Sequence, residues 1–166
     1  PGDYTSEGTI QIYGFAGPAL LTITAFDGIN DVQSLSAAED YKVGKFLSLS
    51  NKTSIYIASF ETTLDRGFHS VRDTDINFRY CRHVASVDTG FFIDSGSTVG
   101  VEDCLCSNKT TRALIAQTAR VFSMNWSAGE NNAVGLTAAN AAHIGKFGTQ
   151  PQGTTAELIY GGGIIE

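Results

Sequence analysis

A short apolar motif returns every 21 to 23 residues over most of this chain, and that period constrains the fold more than any other feature. In residues 90–111 it consists of two brief alternations, Phe91-x-Ile93 and Val99-x-Val101, split by Asp94-Ser-Gly-Ser-Thr98 and followed by Cys104. Copies anchored on Ile55, Ile76, Val99, Val121, Ala142 and Ile164 lie 21, 23, 22, 21 and 22 residues apart, and only the step from Leu21 to Ile55 is longer, at 34. Ser70 and Ser123 are the two polar residues at template positions. Alternation makes each run a strand with one face in and one face out. So short a strand buries its apolar face only by stacking on its copy one repeat later, about 4.8 Å away.

The expected fold is therefore all-β: a right-handed, single-stranded parallel β-helix of about seven coils of about 22 residues, right-handedness being the default for parallel crossovers. Residues 1–7 read as a polar lead-in and 8–166 as the β-helix, with its last coil incomplete, so that a longer chain or another subunit would cover it. Three inward ladders are expected. One is Ile55, Ile76, Val99, Val121, Ala142, Ile164; the second is Phe15, Leu49, Ser70, Ile93, Ile115, Leu136, Leu158; the third is Phe26, Phe60, Cys81, Cys104, Trp126, Phe147. Residues 28–44 form an insertion, in which Ser36-Ala-Ala-Glu39 fits a helix capping box or an ordered loop.

Composition narrows the function classes. A net charge of −6 without a basic stripe argues against a nucleic-acid partner. No run of 18 apolar residues offers a spanning helix, so membrane insertion is not expected. Pro1 starts without a charged-then-apolar leader, as a mature form or a fragment also would. Cys81 and Cys104 fall in one inward column as stacked, reduced thiols, and Cys106 reads as an exposed thiol in the following turn. His69, His83 and His143 sit in different coils and columns, which does not suit a metal, and no motif asks for a cofactor.

The period, the turn phrases Ser95-Gly-Ser-Thr-Val99, Asn108-Lys-Thr-Thr111 and Asn131-Asn-Ala-Val134, and the closing Tyr160-Gly-Gly-Gly-Ile-Ile165 resemble the β-helical part of bacteriophage tailspike and tail-fibre proteins. The resemblance is one of architecture and phrasing over about residues 8–166. It implies a homotrimeric virion protein, extracellular in its action, that recognises and sometimes cleaves a bacterial surface polysaccharide. Pectate-lyase-like and polygalacturonase-like enzymes share the architecture, so the fold does not by itself decide between binding and depolymerase chemistry.

Outward columns carry whatever chemistry there is, because packing occupies the inward ones. Arg79, Tyr80, Arg82, Glu61, Glu102 and Asp103 are expected to share one patch. In the enzyme reading Glu102 and Asp103 are the acid and base of a lyase or glycosidase, while Glu61, Arg79, Tyr80 and Arg82 bind the sugar. The plainer alternative is a ladder of surface ion pairs. Phe92 with Leu114 in one outward column, and Tyr56, Phe122 and Ile165 in another, are the expected oligomer interface.

Overall fold

Most strands in this chain hold two to six residues and find their partners one turn away. The computed structural model describes residues 2–127 and 129–166, and over them the strands stack in parallel as a β-solenoid. Two sides run its length with seven strands each. The first side comprises Gly2–Tyr13, Tyr41–Leu49, Phe68–Val71, Thr89–Asp94, Arg112–Gln117, Val134–Ala139 and Thr155–Tyr160. The second comprises Leu21–Phe26, Ser54–Ala58, Asp75–Arg79, Thr98–Glu102, Arg120–Met124, His143–Phe147 and Ile164–Ile165. A shorter third side is made by residues 2–4 and 41–43 with Glu61–Thr62, Arg82–His83 and Leu105–Cys106. Five turns thus carry all three sides, and two more carry only the first two, where seven equal coils were expected. Residues 2–4, expected in the lead-in, pair with 41–43 as part of the first turn.

The core is a set of like-on-like stacks. On the second side Ile55, Ile76, Val99 and Val121 pair in succession as the repeat requires. The next members are Ile144 and Ile165, two and one residues beyond the expected Ala142 and Ile164. On the first side the inward stack is Phe46, Phe68, Phe91, Leu114 and Leu136. The expected second ladder keeps only Ser70 and Ile93 together. Corner length explains the slips. Asp94 and Thr98, at matching ends of one corner, are four residues apart, whereas Gln117 and Arg120 one turn on are three apart. A fixed template drifts across such a change, and in a strand a one-residue slip reverses the face. The phenyl rings of Phe68 and Phe91 stack at 4.7 Å and 14°, and the Trp126 indole meets Phe91 edge-on at 5.1 Å. Burying each such ring contributes about 1.5–3 kcal/mol.

The two serines at template positions are satisfied locally. Ser70 Oγ donates to Asp73 Oδ2 at 2.6 Å, and Asp73 Oδ1 accepts from the Asn51 backbone N–H and carboxamide at 3.0 and 2.9 Å. Asn51 in turn donates to the carbonyl of Ile12, and Asp73 N–H donates to Ser97 Oγ, so one buried network ties four turns together. Ser123 Oγ accepts from Trp126 Nε1 at 2.8 Å, which gives the buried indole N–H its partner. All three cysteines are free and buried, and this corrects the exposed placement of Cys106. Cys106 follows His83 in the third-side stack, under the loop that carries Lys109.

Two corners of nearly every turn open on a residue at positive φ. After the first side these are Ser50, Arg72, Ser95, Thr118 and Asn140, between 49° and 58°; after the second they are Ser59, Tyr80, Asp103 and Asn125, between 51° and 64°. The left-handed conformation bends the chain while leaving the N–H aimed at the next turn: Ser95 N–H donates to the Gln117 carbonyl and Thr118 N–H to that of Ala139. A non-glycine residue there costs about 1 kcal/mol, most for a β-branched one and least for asparagine.

The insertion is a short antiparallel strand, Asp31–Val32, and a 3-10 turn, Ala37–Asp40. Ser36 makes no side-chain cap; Ser34 Oγ accepts the Ala37 N–H at 3.2 Å instead. Among the described residues no helix is long and apolar enough to cross a membrane.

Two outcomes follow from these features. Thr118→Asn should raise the unfolding free energy by about 0.5–1 kcal/mol, because asparagine tolerates the left-handed corner; a loss of stability in urea titration would contradict the corner's role. His83 is held neutral: burial and the nearby Lys109 ammonium lower its pKa from 6.5 to about 4. The unfolded chain takes up this proton near 6.5 and the folded chain only near 4, so stability is complete above pH 6.5 and falls as pH drops towards 4, by up to about 3 kcal/mol. In His83→Gln that acid-side slope should become shallower, which denaturation midpoints between pH 7 and 4 measure directly.

Candidate functional site

The outer surface of the second side is the candidate. Its columns follow from the register. One reads Ala58, Arg79, Glu102, Met124 and Phe147; its neighbour reads Tyr56, Asn77, Gly100, Phe122 and Gly145. At the adjoining corner stand Ser59, Tyr80, Asp103 and Asn125, whose positive φ throws their side chains off the end of the strand. Arg79, Tyr80, Glu102 and Asp103 therefore do come together, as the spacing implied.

What they make is an ion cluster. Arg79 donates from Nε and Nη2 to Asp103 Oδ2, each at 3.1 Å, while Glu102 Oε2 lies 3.5 Å from Nε. The guanidinium carbon sits 4.8 Å from the centroid of the Tyr80 ring. Two carboxylates that share one guanidinium are counter-ions; an acid–base pair needs its carboxyls facing a substrate from separate positions. Glu61 and Arg82 lie around the corner, on the third side. Glu61 is only 4% exposed and is held between Lys42 at 3.4 Å and Arg82 at 2.7 Å. Arg82 also reaches Glu39 of the insertion at 3.2 Å. These two residues clamp the insertion to the solenoid, around the corner from the Arg79 cluster.

The clamp has a consequence. With Ser34 N–H donating to Ser59 Oγ at 3.0 Å, the insertion lies along the corner and walls a groove of about 500 Å³. Its opposite wall is Tyr80, Asp103, Asn125 and Ser127. Hydroxyl, carboxamide and carboxylate groups line it, which suits a hydroxyl-rich ligand.

A second depression lies further along the same side. Phe122 is 42% exposed and Phe147 60%, and they border a cleft of about 520 Å³ with Arg120, His143, Lys146 and Glu166. Gly100 and Gly145 flank Phe122 in its column, so neither adjacent turn covers the ring with a side chain. His143 Nε2 and Glu166 Oε1 are 2.7 Å apart, and Lys146 pairs with Glu157. Sequence reasoning missed Arg120, His143, Lys146, Phe147 and Glu166 here. The signal was the glycine–phenylalanine–glycine column, visible only in the correct register of residues 143–147.

The two columns expected as an oligomer interface do not both face outward. Leu114 faces the core at 0% exposure, and Ile165 packs beside Ile144 in the inward stack. Phe92 does face outward, but it is only 8% exposed, with the Arg66 guanidinium 4.3 Å above its ring and His69 edge-on at 4.9 Å. Tyr56 is half-buried, and Phe122 alone of the five presents a large open surface. Comparison with protein-family models, curated proteins and solved structures returned no match to the chain.

Arg79→Met should leave Glu102 and Asp103 side by side without their cation. The variant should lose about 1 kcal/mol at low ionic strength, and the deficit should shrink in about 1 M salt, which screens partly exposed ion pairs. A deficit as large in high salt as in low would mean that Arg79 acts by packing alone.

Proposed function

We propose that this protein is a surface-polysaccharide-binding solenoid of the tailspike or tail-fibre kind, which holds a bacterial glycan along its second side without cleaving it. The observation that carries the reading is the pair of depressions on that side. A polar groove at Tyr80, Asp103 and Asn125 lies on the same side as the open rings of Phe122 and Phe147. Hydroxyl-binding groups beside flat apolar rings match the two kinds of surface a sugar presents, its hydroxyl rim and its C–H face. Binding is favoured over cleavage because Glu102 and Asp103 are both engaged by Arg79. Homotrimer formation and a place on the virion belong to the same proposal, through the resemblance in the repeat and turn phrases.

The test is binding to bacterial capsular and O-antigen polysaccharides, with reducing ends and unsaturated products followed in the same samples. The expected result is saturable binding without product release, weakened about tenfold by Tyr80→Ala combined with Asn125→Ala. Light scattering should give three times the chain mass. Product release would replace the binding reading with a depolymerase, and a monomer would remove the trimer from it.

A further inference from the structure

We infer that the glycan is anionic, and that an acidic sugar is seated with its ring on Phe122 and its negative group on Arg120. This rests on the proposed polysaccharide binding and names the ligand's chemical class and the residues that select it.

Charge accounting around the cleft leads to Arg120. The other polar side chains that line it have partners: His143 Nε2 is hydrogen-bonded with Glu166 Oε1, and Lys146 pairs with Glu157 on the first side. Arg120 is exposed and takes part in no ion pair among the described residues. Its own outward column runs Ser54, Asp75, Thr98, Arg120 and His143. The nearest carboxylate in that column, Asp75, is two turns away, roughly 10 Å, and accepts the Ser54 hydroxyl at 2.8 Å.

Geometry places that cation where a sugar would present its acid. Arg120 and Phe122 are two residues apart on one strand, so their side chains leave the same face about 7 Å apart at the backbone. Arg120 and His143 line the Phe122 cleft and also a neighbouring one of about 300 Å³ beside Thr98 and Thr118. Together the two clefts are of the size that takes a small ligand or a short stretch of polymer. A planar guanidinium binds a carboxylate or a sulfate through paired N–H donors. The open Phe122 ring, kept uncovered by Gly100 and Gly145, supplies the apolar shelf for the ring attached to that group.

The experiment compares polygalacturonate, its carboxyl-reduced counterpart, dextran sulfate and uronate-containing capsular polysaccharides by isothermal titration. The proteins are the wild type, Arg120→Gln, Phe122→Ala and Tyr80→Ala. Both altered residues of the cleft are surface side chains, and circular dichroism verifies the fold. The expected result is that the wild type binds an acidic polymer about tenfold more tightly than the carboxyl-reduced one. Arg120→Gln should erase that preference, and Phe122→Ala should weaken acidic and reduced polymers alike by about tenfold. Binding of dextran sulfate that Arg120→Gln also abolishes would support the site with a sulfated sugar as the source of charge. Overturning results are binding that is indifferent to Arg120→Gln and Phe122→Ala, or a preference for neutral polymers. If Tyr80→Ala alone then abolishes binding, polysaccharide recognition stands and the Arg120 site falls. If neither these polymers nor the wider capsular and O-antigen panel binds, both fall.

Discussion

Everything in this protein depends on the hydrogen-bonded stacking of each turn on the next. Strands of two to six residues are too short to be stable in isolation or in pairs. Here the neighbouring turn satisfies each strand's backbone, and the side chain in register above supplies its apolar contact. The stack of Phe46, Phe68, Phe91, Leu114 and Leu136 shows the principle, since each member is buried because the next one is there. The corners obey the same demand. Ser95 and Thr118 accept a left-handed backbone because it keeps their N–H groups directed at the adjoining turn.

This constraint separates interior from exterior sharply, and the exterior is where function has room to vary. On the second side the outward column can hold Tyr56, Asn77, Gly100, Phe122 or Gly145 without disturbing the valines and isoleucines behind it. Two glycines beside one phenylalanine expose a ring that a bulkier column would cover. The insertion works in the same way: Glu39 on Arg82 and Ser34 on Ser59 fasten it to the side of the solenoid, where it walls a polar groove.

The architecture was readable from the chain because a period of about 22 residues with inward alternation has few physical solutions. Register was readable wherever the corners keep their length, and so Ile55, Ile76, Val99 and Val121 stack as the repeat implies. It was lost where corner length changes. That change moved Ile144 into the place expected of Ala142 and turned Leu114 from the surface to the core. The Arg79 cluster was legible as a patch, but its internal pairing was not, because spacing says which side chains meet and not which of them neutralise each other. Glu61 illustrates the difference: it lies in register with Arg82, and it is paired with both Lys42 and Arg82. The Phe122 cleft was hidden by the slipped register of residues 143–147 that also concealed Gly145.

Hydroxyl-radical footprinting of the protein, free and saturated with an acidic polysaccharide, tests the account most directly, since aromatic and sulfur-containing side chains report their own exposure. The account predicts that oxidation of Phe122, Met124 and Phe147 slows in the complex while Tyr13 and Leu20, exposed elsewhere on the solenoid, react as before. Unchanged oxidation of Phe122 and Phe147 in a saturated complex, with protection elsewhere, would contradict it.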